Sequence, residues 1–113
     1  MKLKLTKAEM IELDAIMDAV IEDVALKQEG SILHLLLIAI FERFHLQIIT
    51  RLLILRKRYN FTIEPATALA FLLYFKNANL NPERFGDNLI LKLITQIDQK
   101  YGNKNCITRD LHA

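Results

Sequence analysis

The stretch Ser31 to Arg58, SILHLLLIAIFERFHLQIITRLLILRKR, decides how this chain is read. Ser31 suits an N-cap, no proline or glycine interrupts the run, and apolar residues recur at helical spacing. The stretch therefore predicts one long helix, and at 100° per residue it carries two apolar seams. Leu37, Phe41, Phe44, Ile48, Leu52 and Leu55 form the first. Leu35, Ala39, Glu42, Leu46, Ile49 and Leu53 form the second, well separated around the helix. Arg43, Gln47, Thr50, Arg51, Lys57 and Arg58 share a wetter face with Ile40 and Ile54. Each apolar stripe needs a neighbour, so two seams predict neighbours on two sides. Straight, such a helix is about 42 Å long. A compact domain of this size has a radius of gyration of about 13 Å. The helix is thus expected to bend, protrude or be covered by another subunit.

A membrane span is the competing reading of the same stretch. Ile32 to Phe41 is apolar apart from His34, but Glu42, Arg43 and His45 interrupt it. A span needs about 20 predominantly apolar residues, so the expectation is a buried helix and no span.

Outward from this helix, the chain predicts three more. Thr6 with Glu9 is a capping-box pattern opening helix 1 over residues 7–28. Met10, Leu13, Met17, Val20 and Val24 give it one apolar stripe, and Gly30 ends it. Pro65 suits the first turn of helix 3, which runs to Asn77 and is apolar nearly all round. Asn79 to Pro82 reads as a turn. Helix 4 starts near Pro82 with Asn81 as cap and Leu89, Leu93, Ile94 and Ile97 as core, and Tyr101-Gly102 ends it. Residues 1–102 form a single helical domain in this reading, and 103–113 a mobile tail. Two short segments, 2–5 and 61–63, alternate in polarity and suit a minor two-stranded ribbon. They also open two halves of similar pattern, each a short extended entry followed by a helical hairpin. The fold class is all-α: four helices in two hairpins around the long second helix.

Composition narrows the function. The hydrophobic fraction is 52%, slightly high for 113 residues, and surplus apolar surface usually ends at an interface. A net charge of +2 excludes a chain-wide basic wrapper of nucleic acid. One cysteine, Cys106, excludes an internal disulfide framework and fits a reducing compartment, and the N-terminus shows no signal-peptide run, so a cytoplasmic protein is expected. Residues 7–29 hold seven acids against two lysines, net −5; residues 31–58 hold five cations against Glu42, net +4. That asymmetry favours pairing of helices 1 and 2.

Four constellations carry potential chemistry. Glu42 and His45 form a Glu-x-x-His pair, the spacing that di-iron bundles use. Such a site needs a second pair and two more carboxylates, which Asp14, Asp18 or Glu22 and a second copy would have to supply. The simpler reading is a local Glu–His contact, with Glu42 setting register in an apolar seam. His34 and His45 stand on similar faces but about 16 Å apart along the axis, too far to share a metal. The helix 1 carboxylates resemble the acidic helices of all-α nucleotide pyrophosphatases, but the second acidic helix that would complete a Mg²⁺ site is missing. Arg56-Lys57-Arg58-Tyr59, with Arg51, is the concentrated basic cluster: the cations suit phosphates and Tyr59 suits stacking on a base. Its simpler role is to complement the helix dipole at the last turn. Cys106 and His112 lie apart from any nucleophilic arrangement, so no catalytic residue, metal or cofactor is expected.

The leading expectation is a non-enzymatic structural or interaction module that self-associates through Leu35, Ala39, Glu42, Leu46, Ile49 and Leu53. Its partner is a second copy or another protein, as in assembly or accessory proteins of phage and mobile elements. Two alternatives stand beside it. One is nucleic-acid binding through Arg51, Arg56, Lys57, Arg58 and Tyr59. The other is a metal-dependent helical-bundle enzyme using Glu42 and His45.

Overall fold

A computed structural model describes residues 1–27 and 31–105, with side chains to Tyr101. The protein is mostly helical, with four helices and a small two-stranded antiparallel sheet. The order is β1 (Lys2–Thr6), α1 (Lys7–Lys27), α2 (Ile32–Leu52), β2 (Arg58–Thr62), α3 (Pro65–Phe75) and α4 (Phe85–Asn105). The sequence of elements is thus β-α-α twice over. Two compact units result: Lys2–Thr62, and a second that begins at Ile63 and takes in Met1.

In the first unit, β1 and β2 pair with Leu3 opposite Phe61 and Leu5 opposite Tyr59. Both strands alternate exposed and buried residues, so Leu3, Leu5, Tyr59 and Phe61 share the inner face. The ribbon is longer than the sequence alone suggests, since β2 starts at Arg58 and not at Phe61. At the β1–α1 junction the capping box forms in full. The Thr6 N–H donates to Glu9 Oε1 at 2.9 Å, and the Glu9 N–H donates to Thr6 Oγ1 at 3.2 Å. Helix α1 buries its expected stripe of Met10, Leu13, Met17, Val20 and Val24, and it packs on α2. Ser31 caps α2 by accepting from the His34 N–H at 3.2 Å. Leu37, Phe41, Phe44 and Ile48 are the buried stripe of α2, and the Phe44 ring lies 6.1 Å from that of Phe61.

Helix α2 is shorter than its sequence predicts. It stops at Leu52, for a length of about 31 Å. The Leu53 N–H donates to Thr50 O and the Ile54 N–H to Arg51 O, each at 3.3 Å, tightening the last turn. The Tyr59 hydroxyl then donates to Ile54 O at 2.8 Å and accepts from the Arg56 N–H at 3.2 Å. This turn feeds Arg58 into the strand. Leu55, expected in the buried seam, is consequently exposed, and Leu52 is half-buried.

The second unit contains α3 and α4, which pack on each other. Pro65 occupies the first turn of α3 as expected, and Thr67, Ala68, Ala70, Phe71 and Leu72 are buried. Helix α4 begins at Phe85 rather than near Pro82, because Asn81 closes a separate turn. Its Oδ1 accepts from the Glu83 N–H and its carbonyl from the Arg84 N–H, both at 3.0 Å. Leu89, Leu93 and Ile97 are buried, with Ile90 in the place expected for Ile94. Tyr101-Gly102 does not end the helix, which runs through Asn105. Gly30 as the stop of helix 1, the residue 29–31 link, Cys106, His112 and the tail beyond Asn105 fall on or beside residues outside those described.

Candidate functional site

The outer face of α2 is an exposed apolar surface among the described residues of the first unit. Its buried stripe occupies one side of the helix, and the second seam lies on the other. Leu35 is 63% exposed, Leu46 64%, Ile49 41% and Leu53 79%. Ala39 and Glu42 between them are exposed as well, and Ile32 and Leu36 on its flank are also exposed. All six residues expected at an interface therefore stand on the surface, with Leu53 just beyond the helix end. Within the single chain, α2 is buried along one side only. By length and composition α2 is apolar enough to cross a membrane, and only 22% of its most apolar window is buried. A core helix of a soluble protein passes the same test of length and composition.

Glu42 and His45 do not converge. Glu42 belongs to the outer face, whereas His45 Nε2 lies 2.6 Å from Asp14 Oδ1 on α1. The histidine side chain is 16% exposed and the carboxylate 39%, so the contact ties the two helices at the edge of their seam. It replaces the local Glu–His contact expected from spacing. His34 sits at the N-cap, its Nδ1 3.4 Å from Ser31 Oγ. No group of three His, Cys, Asp or Glu side chains placed to hold a metal occurs among the described residues.

The basic cluster divides. Arg51 lies in the last turn of α2, half-buried, with its guanidinium 5.2 Å from the centroid of the Phe61 ring. Its Nε is buried without a hydrogen-bond partner among the described residues. Tyr59 is 3% exposed and its hydroxyl holds the Ile54–Arg56 turn, so its ring faces the ribbon's inner side instead of solvent. Arg56, Lys57 and Arg58 remain exposed. They lie beyond the helix and so do not complement its dipole.

Strand pairing brings Arg56, Lys57 and Arg58 beside cations that sequence reasoning passed over. Thr6 faces Arg58, Lys4 faces Asn60 and Lys2 faces Thr62, with all six side chains on the outer, exposed face of the ribbon. The Lys7 N–H donates to Lys57 O at 3.3 Å, joining the start of α1 to the same surface. The signal was present as Lys2-Leu3-Lys4-Leu5, whose alternation puts both lysines on one side of a strand.

In the second unit, an open cleft between α3 and α4 is lined by the apolar Leu72, Phe75, Leu80, Leu91 and Ile94 together with the polar Lys76, Thr95, Asp98 and Gln99.

Set against known proteins, the chain matches no family model, no curated protein and no solved structure. A functional reading therefore rests on these surfaces themselves.

Proposed function

We propose that this protein is a non-enzymatic interaction module, built as two helical hairpins, that self-associates through the outer face of α2. The observation that carries the proposal is the exposed seam of Leu35, Ala39, Leu46, Ile49 and Leu53 on the side of the helix opposite its buried stripe. Apolar patches this continuous usually mark contact surfaces.

The pattern of the seam favours a second copy as the occupant. With Ile32, Leu36 and Arg43 on its flank, it can be paired about a point between Glu42 and Arg43, as a two-fold interface requires. In an antiparallel pairing centred there, Glu42 faces Arg43 of the second copy and Arg43 faces its Glu42. Small Ala39 then faces large Leu46, Leu36 faces Ile49 and Ile32 faces Leu53. Leu35 then faces Thr50, so one apolar seam residue meets a hydroxyl, and Glu42 on the seam is paired at both contacts with Arg43 from the neighbouring wetter face.

Light scattering across a concentration series tests this reading. The expected result is twice the chain mass, reduced to a single chain by Leu46→Glu with the helical circular dichroism unchanged. A single chain at every concentration, an unaffected Leu46→Glu variant, or recovery of the protein only with the membrane fraction would overturn it.

A further inference from the structure

We propose that the outer face of the β1–β2 ribbon is a binding surface for duplex DNA. Six cations belong to it: Lys2, Lys4 and Arg58 on the ribbon, with Lys7, Arg56 and Lys57 at its end, all exposed. The other outward residues of the two strands are Thr6, Asn60 and Thr62, so the face carries no acid and no apolar side chain. Glu9 lies two residues beyond Lys7, its Oε1 taken by the Thr6 N–H in the capping box, and the exposed Glu64 follows Thr62 by two residues.

Charge complementarity selects a polyanion, and the chemistry of the face selects which one. Lysine and arginine at this density neutralise phosphates and release counterions. Asparagine, threonine and arginine are the side chains that read base edges by hydrogen bonding. A lipid surface would call for apolar side chains among the cations, and the outer face of the two strands carries none, although exposed Leu55 borders Lys7, Arg56 and Lys57 at its end. The shape points the same way. Five residues per strand span roughly 13 Å, and a two-stranded ribbon fits the B-DNA major groove, about 12 Å wide, whereas the major groove of A-form RNA is too narrow. The first-unit core holds the ribbon rigid from behind through Leu3, Leu5, Tyr59 and Phe61, so the outward side chains are presented at fixed spacing. The site thus differs from the helix end suggested by sequence: Arg51 and Tyr59 leave it, and Lys2, Lys4 and Lys7 join it.

The surface is independent of the self-association seam and stands or falls separately from it. Fluorescence anisotropy with a labelled DNA duplex of about 20 base pairs, repeated over a salt series, provides the test. Six phosphate contacts give a log–log salt slope of about −5, or about a thousandfold loss of affinity between 50 and 200 mM salt. The Lys2→Ala/Lys4→Ala/Arg58→Ala variant should bring the slope to about half that value. The single exposed change Asn60→Asp should weaken binding at least tenfold while the unfolding temperature stays the same, and Lys92→Ala on α4 should change nothing. No DNA binding at low salt, a ribbon variant that binds like the parent while folded, or equal affinity for an RNA duplex or for phosphatidylglycerol vesicles would each overturn the proposal.

Discussion

Nε2 of His45 on α2 stands 2.6 Å from Oδ1 of Asp14 on α1, a contact across 31 residues of chain. It joins the strongly acidic helix to a polar ring at the edge of the buried stripe of α2. Because the carboxylate is more than a third exposed, solvent screens the pair and its net worth is modest. A double-mutant cycle of His45→Ala and Asp14→Ala, followed by urea unfolding, should return a coupling of about 0.5–1 kcal/mol. Strict additivity would mean that the contact contributes no pairwise energy.

The reciprocal bonds of Thr6 and Glu9 make a second prediction. Removing the hydroxyl in Thr6→Ala should cost about 1 kcal/mol of stability. Glu9→Ala should cost less. The double variant should fall short of the sum, because each residue caps the other's backbone.

At the end of α2 the Tyr59 hydroxyl donates to Ile54 O and accepts from the Arg56 N–H. Tyr59→Phe keeps the ring in the ribbon's inner face and removes both bonds. It should cost about 1 kcal/mol, with faster amide exchange at Arg56 as the local sign. An unchanged exchange rate would show that the turn holds without the hydroxyl.

These contacts also show which parts of the fold are legible in sequence. The capping box and the five-residue stripe of α1 are local and periodic, so they read correctly from residue types alone. Burial of Phe41, Phe44 and Ile48 follows from the same periodicity. The end of α2 does not. Leu53-Ile54-Leu55-Arg56 contains no glycine or proline, and its helical propensity is good. What ends the helix is pairing of Tyr59 and Phe61 with Leu5 and Leu3, more than fifty residues away in sequence. The same long-range register gathers Lys2, Lys4 and Arg58 on one face. A basic run after an apolar helix reads locally as a helix terminus, whereas its neighbours are set by the sheet. The outer seam of α2 was legible because a helical wheel needs no tertiary information, but Leu55 was misassigned where the helical phase no longer applied.

Two residues of α2 two positions apart give a further contrast. Phe44 is 1% exposed beside Phe61, and Leu46 is 64% exposed. Phe44→Ala should destabilise the protein by about 3–5 kcal/mol through the cavity it leaves. Leu46→Ala should change the stability of a dilute sample by no more than about 0.5 kcal/mol. At high concentration the Leu46 variant should lose whatever extra stability association supplies, since binding of a second copy stabilises the native state by mass action. Equal losses at low concentration would place Leu46 in the core.

The antiparallel register proposed for α2 can be separated from other pairings by exchanging its charges. Glu42→Arg places arginine against Arg43 of the second copy at both ends of the two-fold, and Arg43→Glu places glutamate against Glu42. Each single change replaces two attractive pairs by two repulsive ones, so each should weaken the dimer by roughly tenfold or more. The double change Glu42→Arg/Arg43→Glu restores opposite charges at both contacts and should recover most of the affinity. In a parallel pairing each residue faces its own counterpart, so the exchange would substitute one like-charge pair for another and bring no recovery. Sedimentation equilibrium of the four proteins measures the difference directly. The single variants should also regain affinity when salt is raised, because screening weakens repulsion between exposed charges. A double variant that dissociates as readily as the singles would exclude this register while leaving the apolar seam itself as a contact surface.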